Sequence, residues 1–467
     1  MNTIAEQLAA FAVQARDGAL PDDVRASVRQ RVLDIAGISL AALSLDTSQA
    51  VIDFAREQGG SARARAIGSA DRLPANQAAF VGGVLAHSLD YDDTHLPSIL
   101  HPSASVIPAA LAAAQSAGRN GADLIAAIAA GIEITVRLGM AGYVEAEKNS
   151  IFFERGQHAT SICGAVGSAA AAALLYGADA DGVMHAMGIA ASMASGIIEA
   201  NRGGGTIKRM HCGWAAHAGV TAAELGARGI TGPATVFEGR FGFFEAFLSG
   251  RYDAAAITDE LGARWEVPGI FFKPYPANHF THAGIDAALA LRARGVAPAD
   301  IESITLGVAG PTVRTIGEPL EDKRAPKTGY QAQFSGPYTV AAALIGGGGL
   351  GLGLDDFTDE LAVEPQRRAL AGKVTVTADQ RCEAIYPHQF PAVLQARLRD
   401  GSTLTEEVLT NRGGPQRPLS DEELNEKFSD NARRALGAEQ IARTKDATKR
   451  LAELTDVSEL LDATVKE

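Results

Sequence analysis

ADLIAAIAAGIEITVRLGM, residues 122–140, is the stretch that decides the fold class. Its isoleucines and leucines recur every three or four positions, which is the spacing of one face of an α-helix. Alanine and glycine fill most of the positions between them, and small side chains let two helix axes approach closely. The stretch therefore predicts a helix that packs tightly against other helices.

The same pattern continues on both sides of this stretch, in residues 24–45, 103–118, 159–176 and 182–197. The first of these segments follows Pro21-Asp22-Asp23, residues that favour the start of a helix. We therefore predict a large all-α domain over residues 1–268. The C-terminal segment is again helical in pattern, so residues 405–467 are expected to complete that domain.

The pattern changes near residue 266. Residues 302–310 (ESITLGVAG) and 373–380 (KVTVTADQ) alternate apolar and polar positions, which is typical of strands. Residues 392–408 (AVLQARLRDGSTLTEEV) predict a hairpin with Asp400-Gly401 at its turn. Residues 269–404 are therefore predicted to form a smaller α+β domain, and the fold class is mainly α.

Composition excludes several classes of function. The formal net charge of −13 disfavours nucleic acid and anionic lipid as partners. No apolar run is long enough to predict a membrane span, and the N-terminus has the pattern of a helix and not of a signal peptide. The three cysteines, Cys163, Cys212 and Cys382, are too far apart for a metal-cluster motif and suit a reducing compartment. We expect a cytoplasmic protein.

The glycine-rich stretch GGGGLGLGL, residues 346–354, contains one GxGxxG match. It follows a predicted helix, whereas a dinucleotide-binding loop follows a strand. A loop that ends a helix is the favoured interpretation. P-loop and GxSxG signatures are absent from the sequence.

Polar, titratable residues are concentrated in four segments of otherwise apolar sequence: residues 87–103, 156–160, 205–211 and 272–282. Histidine and lysine in such segments can move protons and hold anionic groups, and aspartate can orient histidine. Removal of a proton next to a carboxylate needs such a base and such cations, and it needs no bound cofactor. We therefore expect neither a metal nor an organic cofactor.

Each segment also has a structural interpretation. The aspartates after His87 could cap a helix, Lys208 could be a solvated surface residue, and Lys273 could lie against an aromatic cluster. His279 and His282 have a spacing that could bind metal, but no carboxylate lies near them in the sequence, so a metal site is not expected.

The four segments, in this order, resemble the MmgE/PrpD family: DYDDT with HPS, GQHAT, KRMHCGWAAHAG and FKPYPANHFTH. That family includes 2-methylcitrate dehydratase, cis-aconitate decarboxylase and iminodisuccinate epimerase. The resemblance covers nearly the whole chain. It implies a helical domain with an α+β lid, a homodimer and catalysis without metal or organic cofactor.

The resemblance also implies which residues form the site, and these are Asp90, Thr94, His101, His158, Lys208 and Lys273. By this comparison the two lysines hold substrate carboxylates and the two histidines transfer protons. Asp90 would orient one histidine, and Thr94 would donate a hydrogen bond to the substrate. Further substrate contacts are expected from Asp93, Tyr275 and His279.

The resulting hypothesis is a lyase for a small anionic di- or tricarboxylate, acting by 2-methylcitrate-type dehydration or cis-aconitate-type decarboxylation. One alternative is an epimerase or isomerase of an amino-dicarboxylate such as iminodisuccinate, which needs the same proton removal without a leaving group. A second alternative is a non-catalytic carboxylate-binding protein of the same fold.

Overall fold

The computed structural model describes residues 2–200 and 205–466, which form two compact units. The first unit comprises Met1–Ile270 and Asn431–Glu467, and the second comprises Phe271–Asp430. Helices dominate the first unit, while the second combines helices with a four-stranded sheet. The predicted mainly-α fold class is confirmed.

The first unit contains one short antiparallel strand pair, β1 (Tyr143–Val144) and β2 (Asn149–Ser150), among its helices. The helices described before residue 270 are α1 (Ile4–Asp17), α2 (Asp22–Ala42), α3 (Asp46–Gln58), α4 (Ala75–His87), α5 (Ser103–Ala117), α6 (Gly121–Met140), α7 (Ile151–Glu154), α8 (Ala159–Leu175), α9 (Ala180–Met193), α10 (His211–Gly226), α11 (Phe243–Leu248) and α12 (Ala255–Thr258).

Local sequence explains where the central helices begin and end. Asn120 caps α6 by accepting a hydrogen bond from the Asp123 amide at 2.8 Å. Helix α5 stops at Gly118, whose φ of 62° is the left-handed conformation that glycine adopts without strain. The helices predicted over residues 103–118 and 122–140 are therefore confirmed to within one residue at each end.

Close approach of the helices depends on glycine. A Cβ atom added to Gly83 of α4 would lie 2.6 Å from the carbonyl oxygen of Cys212 in α10, and one added to Gly213 would lie 2.5 Å from that of Phe80. A Cβ at Gly167 of α8 would overlap the backbone of α6. Tight packing through small residues, expected from the sequence, is thus observed at two helix pairs.

The second unit is built on a sheet with strand order β4-β3-β5-β6. Its strands are β3 (Ile301–Val308), β4 (Val374–Ala378), β5 (Ala392–Leu398) and β6 (Thr403–Val408). Its helices are α13 (His282–Ala293), α14 (Gly310–Ile316), α15 (Leu320–Arg324), α16 (Gly329–Ala332), α17 (Gly336–Ile345), α18 (Asp359–Ala362), α19 (Pro365–Ala371), α20 (Gln380–Ile385) and α21 (Asp421–Ala432). Strands β3 and β4 are parallel, and the other two pairings are antiparallel.

The predicted hairpin is present as β5 and β6, with Gly401 at a φ of 89° in the turn. The expected domain boundary at residue 404 needs correction, because it would cut through β6. Cross-strand hydrogen bonds hold all of β6 to β5, and the compact unit continues to Asp430.

The glycine-rich stretch after α17 is a loop that ends this helix, as the sequence analysis favoured. Gly346 has a φ of 121°, which turns the chain out of the helix. The amides of Gly348 and Gly353 both donate to Oδ2 of Asp356 at 2.9 Å. The loop is therefore held by a carboxylate of its own unit.

The chain returns to the first unit through its last helices, α22 (Ala438–Lys449) and α23 (Ser458–Ala463). The Leu454 carbonyl accepts a hydrogen bond from the Gly121 amide at 2.8 Å, at the start of α6. Within residues 2–200 and 205–466, no single helix is both long and apolar enough to cross a membrane. Helices α2 and α3 meet that test only as a pair, across a 96° bend.

Candidate active site

The loop between α4 and α5 brings the first polar segment into the interior of the first unit. Helix α4 ends at His87, and Asp90 adopts a φ of 52°, which redirects the chain. His95 and Leu100 then exchange backbone hydrogen bonds of 2.8 and 3.3 Å, closing a tight loop before Ser103 starts α5. Non-glycine residues with positive φ are uncommon and often occur at functional sites.

Asp93 lies in this loop with its carboxylate fully engaged. Oδ2 lies 2.7 Å from Nη1 of Arg31, and both side chains are almost completely buried. The Ser103 hydroxyl donates to Oδ2 and the Ser103 amide to Oδ1. Burial raises the pKa of the Asp93 carboxyl, while Arg31 acts in the opposite direction. A substrate contact by Asp93 stays a prediction, and the contacts observed for its carboxylate are with Arg31 and Ser103.

A second carboxylate of the loop orients a histidine. Oδ2 of Asp92 lies 2.8 Å from Nδ1 of His87, and both side chains are buried. A carboxylate bound to Nδ1 keeps the proton on that nitrogen and leaves Nε2 available for proton transfer. Neither residue was predicted from the sequence to take part in catalysis or binding.

His101 follows at the end of the loop and is only half-buried. Its Nδ1 lies 2.6 Å from the main-chain oxygen of Asp93 and 3.4 Å from Oγ1 of Thr94. Its amide donates to Oγ1 of Thr160, at the start of α8. Two of the predicted residues, Thr94 and His101, are thus adjacent.

His158 occupies the N-cap position of α8, where its amide donates to the Gly196 carbonyl at 3.0 Å. Its Nδ1 lies 2.9 Å from Nδ1 of His211, the first residue of α10. Burial and the nearby charges of His87 and Lys208 lower the pKa of His158 well below its usual value. The same causes lower the pKa of His211 to about 4.

The four imidazoles form one group, which we call the histidine cluster: His87, His101, His158 and His211. The His87 ring centroid lies 5.6 Å from that of His101 and 5.6 Å from that of His158. His158 and His211 are 4.9 Å apart by the same measure. Two histidines predicted from the sequence are therefore brought together with two that were missed.

Lys208 projects from a 3₁₀ turn, Ile207–Met210, that directly precedes α10. Its Nζ lies 3.2 Å from Oδ1 of Asp90, and the lysine side chain keeps 18% of its surface exposed. This pair joins the first and third polar segments. The predicted role of Asp90 in orienting a histidine stays a prediction, and the ion pair with Lys208 is the contact observed.

The remaining predicted residues belong to the second unit. Lys273 is 1% exposed and His279 is 6% exposed. The His279 ring packs edge-on against Phe271 and Phe390. Roles for Lys273 and His279 in binding substrate stay predictions.

Tyr275, predicted as a further substrate contact, is fully buried in the second unit. Its hydroxyl lies 2.5 Å from Asp286 and 3.0 Å from Arg412. Burial, and secondarily the charge of Asp286, raises the pKa of Tyr275 far above its usual range. A substrate contact by Tyr275 stays a prediction, and the contacts observed for its hydroxyl lie within its own unit.

The site of the first unit thus combines the Lys208 cation, the carboxylates of Asp90 and Asp92, and the four imidazoles of the histidine cluster. Such a set can hold an anionic group and transfer protons beside it. Among the described residues, no group of three or more His, Cys, Asp or Glu side chains is arranged to hold a metal ion.

Comparison with protein families gives two matches in tandem. The MmgE/PrpD N-terminal domain matches residues 6–255, and the MmgE/PrpD C-terminal domain matches residues 275–453. The first match contains the histidine cluster and Lys208, and the second contains Tyr275 and His279. Together the two matches cover most of the chain.

Characterised relatives align over nearly their full lengths. Cis-aconitate decarboxylase of Homo sapiens is 30% identical, over 98% of this chain and 94% of its own. Cis-aconitate decarboxylase of Aspergillus terreus is 25% identical, over 95% and 92%. 2-Methylcitrate dehydratase of Salmonella typhimurium is 26% identical, over 85% and 84%.

Proposed function

The chain belongs to the MmgE/PrpD family and is a lyase of that type, and on this premise we propose that its substrate is a small di- or tricarboxylate. The relatives named for decarboxylation and for dehydration both act on compounds of this class, as their names state. The proposal joins that similarity to the chemistry of the site in the first unit.

One observation carries the proposal. Lys208 holds the carboxylate of Asp90 at 3.2 Å, and its charge adds to burial and to the charge of His87 in lowering the pKa of both His158 and His211. A substrate carboxylate that replaced Asp90 on Lys208 would place its neighbouring carbon atoms beside the histidine cluster. Hydrogen bonds to charged groups are stronger than neutral ones, so Lys208 can orient the substrate as well as attract it.

The half-buried His101 is suited to touch the substrate. Its Nδ1 faces the main-chain oxygen of Asp93, so the proton lies on Nδ1 and Nε2 is the nitrogen that would act as acid or base. We assign Lys273 to a second substrate carboxylate on the family resemblance alone. We also expect a homodimer, which the mass of the purified protein in solution will test.

The two lyase reactions share their first requirements but differ in the leaving group. In dehydration a base removes a proton from carbon, the electron pair forms the double bond, and an acid protonates the hydroxyl, which leaves as water. In decarboxylation the electron pair of the broken carbon–carbon bond stays on the substrate, CO2 leaves, and an acid returns a proton to carbon. An epimerase would remove and return a proton with no leaving group.

Proton NMR in D2O distinguishes these reactions. The purified protein would be incubated with cis-aconitate, citrate, 2-methylcitrate and iminodisuccinate in turn. We expect either a new alkene signal with loss of water or a decarboxylated product from one of the first three. Deuterium incorporation into iminodisuccinate without net change would support the epimerase instead. No reaction with any of the four would contradict the proposed substrate class.

A further inference from the structure

The most deeply buried acid–base pair of the site is the one formed by Asp92 and His87. The exposed fractions of their side chains are 0% and 1%, and Asp92 Oδ2 lies 2.8 Å from His87 Nδ1. Within the described part of the chain, the buried Nε2 of His87 has no hydrogen-bond partner. A buried polar nitrogen without a partner costs free energy, so it calls for a functional explanation.

The other buried imidazoles are constrained differently. His158 and His211 face each other through their Nδ1 atoms at 2.9 Å, so one nitrogen must donate and the other must accept. They cannot both be cationic, because two N–H groups would then point at each other. A buried imidazolium needs an anion beside it, and His87 has the carboxylate of Asp92 in direct contact.

We propose that His87, oriented by Asp92, is a proton-transfer residue of the reaction proposed above, on which this inference rests, and that His158 remains a neutral partner of His211. In dehydration Nε2 of His87 accepts the proton from the substrate carbon and the C–H electron pair forms the double bond. The hydroxyl takes a proton from the imidazolium of His101 and leaves as water. In decarboxylation Nε2 of the imidazolium donates a proton to the carbon that loses CO2.

Access to Nε2 follows from the position of Lys208. The ion pair between Lys208 and Asp90 is partly exposed, so an incoming carboxylate can displace Asp90 from the lysine. The substrate carbons then lie next to the rings of His87 and His158. The titratable groups around His87, besides Asp92, are His101, His158, His211 and Lys208.

The sharpest variant is His87→Asn. The asparagine amide nitrogen can replace Nδ1 as the donor to Asp92, so the buried bond is kept while Nε2 is lost. The matched control is His185→Asn, because Nδ1 of His185, in the first half of α9, likewise contacts an oxygen, the Gly232 carbonyl at 3.1 Å. Circular dichroism and thermal unfolding would show that both variants fold.

We expect His87→Asn to lower kcat by about 100-fold or more, the usual contribution of a general acid or base, with KM little changed. The limb of the pH–rate profile set by an imidazole should disappear in His87→Asn and persist in His158→Asn. Wild-type kcat and an unchanged pH profile in a folded His87→Asn would overturn the inference. The inference would also be overturned if the imidazole limb of the pH–rate profile were lost in His158→Asn but kept in His87→Asn.

A second measurement is independent of substrate. Nitrogen-15 NMR of histidine-labelled protein should show His87 protonated at Nδ1, and Asp92→Asn should abolish that preference. If the wild-type protein transforms none of the four substrates, the proposed function fails, while this tautomer would still support His87 as a proton carrier. An Nε2–H tautomer of His87 would overturn it.

Discussion

Arg31 and Asp93 form an ion pair of 2.7 Å that is almost completely withdrawn from solvent. The same guanidinium donates to the main-chain oxygens of Val267 and Ile270, at 3.3 and 2.6 Å. Since the main-chain oxygen of Asp93 also contacts His101, one buried arginine supports both the loop of the site and the last residues before the second unit.

Replacing Arg31 by methionine is therefore expected to destabilise the first unit strongly. Removal of one partner from a buried ion pair typically costs about 3–5 kcal/mol, because the other charge stays buried without compensation. Denaturant unfolding would measure the change. Arg25→Met is the matched control, since Arg25 lies on the same helix and pairs with Asp22 in solvent. An exposed pair contributes at most about 1 kcal/mol. Equal losses in the two variants would contradict the prediction.

A second prediction concerns helix packing. Gly167→Ala should destabilise the protein by about 1–3 kcal/mol or more, because the new methyl group would overlap Thr135 and the Gly131 carbonyl of α6. Gly226→Ala provides the comparison, since the nearest atom to its added Cβ is 3.8 Å away. That variant should be neutral or slightly stabilising. Thermal unfolding of both would decide, and an unchanged midpoint for Gly167→Ala would count against the packing argument.

Glu133 predicts a pH dependence of stability. Burial raises its pKa to about 7, although Arg137 lies 2.7 Å away and acts in the opposite direction. The folded state thus holds this proton more tightly than the unfolded state between pH 4.5 and about 7. The contribution of this group to the free energy of unfolding must then fall as pH rises through that window.

Glu133→Gln should remove this dependence, since glutamine does not ionise and can still accept from the Glu266 amide. At about 1.4 kcal/mol for each pKa unit, the wild type should lose roughly 3 kcal/mol relative to the variant across the window. Urea unfolding at several pH values would measure it. Glu57→Gln, on the exposed side of α3, should give a curve parallel to that of the wild type. If the stability curve of Glu133→Gln also ran parallel to that of the wild type, Glu133 would not be the source of the pH dependence.

Lys208→Met tests whether Lys208 binds a carboxylate of the substrate. We expect kcat/KM to fall by about 10- to 100-fold, because a hydrogen bond to a charged group contributes about 1.5–3 kcal/mol. Unfolding would be measured in parallel, because the side chains of Lys208 and Asp90 are only 18% and 9% exposed and removal of the lysine charge leaves the carboxylate without this ion pair. Lys327→Met, at an exposed position of the second unit, is the control. Loss of folding in Lys208→Met, with activity per folded molecule retained, would show a structural lysine instead.

Helices and the hairpin could be predicted from the sequence because their signals are local. The apolar spacing of α6 and its Asn120 cap lie within one segment, and so does the turn at Gly401. The parallel pairing of β3 with β4 was not predicted, since several helices separate the two strands in sequence. The predicted end of the second unit, residue 404, differs from the observed end at Asp430, because the contacts that define a unit are also not local in sequence.

The site was predictable as a set of segments but not residue by residue. Asp90, Asp92 and Asp93 stand almost side by side in sequence, yet they face Lys208, His87 and Arg31 respectively. The turn at Asp90, with its positive φ, makes the three side chains point in different directions, and the amino-acid sequence does not reveal this turn. His211 was missed because its partner, His158, comes from a different helix terminus.

The return of the chain to the first unit has a consequence for biosynthesis. The amide at the start of α6 binds the Leu454 carbonyl, and the Gly68 amide binds Oγ1 of Thr464. These bonds cannot form until the ribosome has translated the final helices. The second unit is contiguous in sequence, so it can close its sheet on the nascent chain as soon as Val408 leaves the exit tunnel. The helical unit that carries the histidine cluster, although translated first, is the last to be completed.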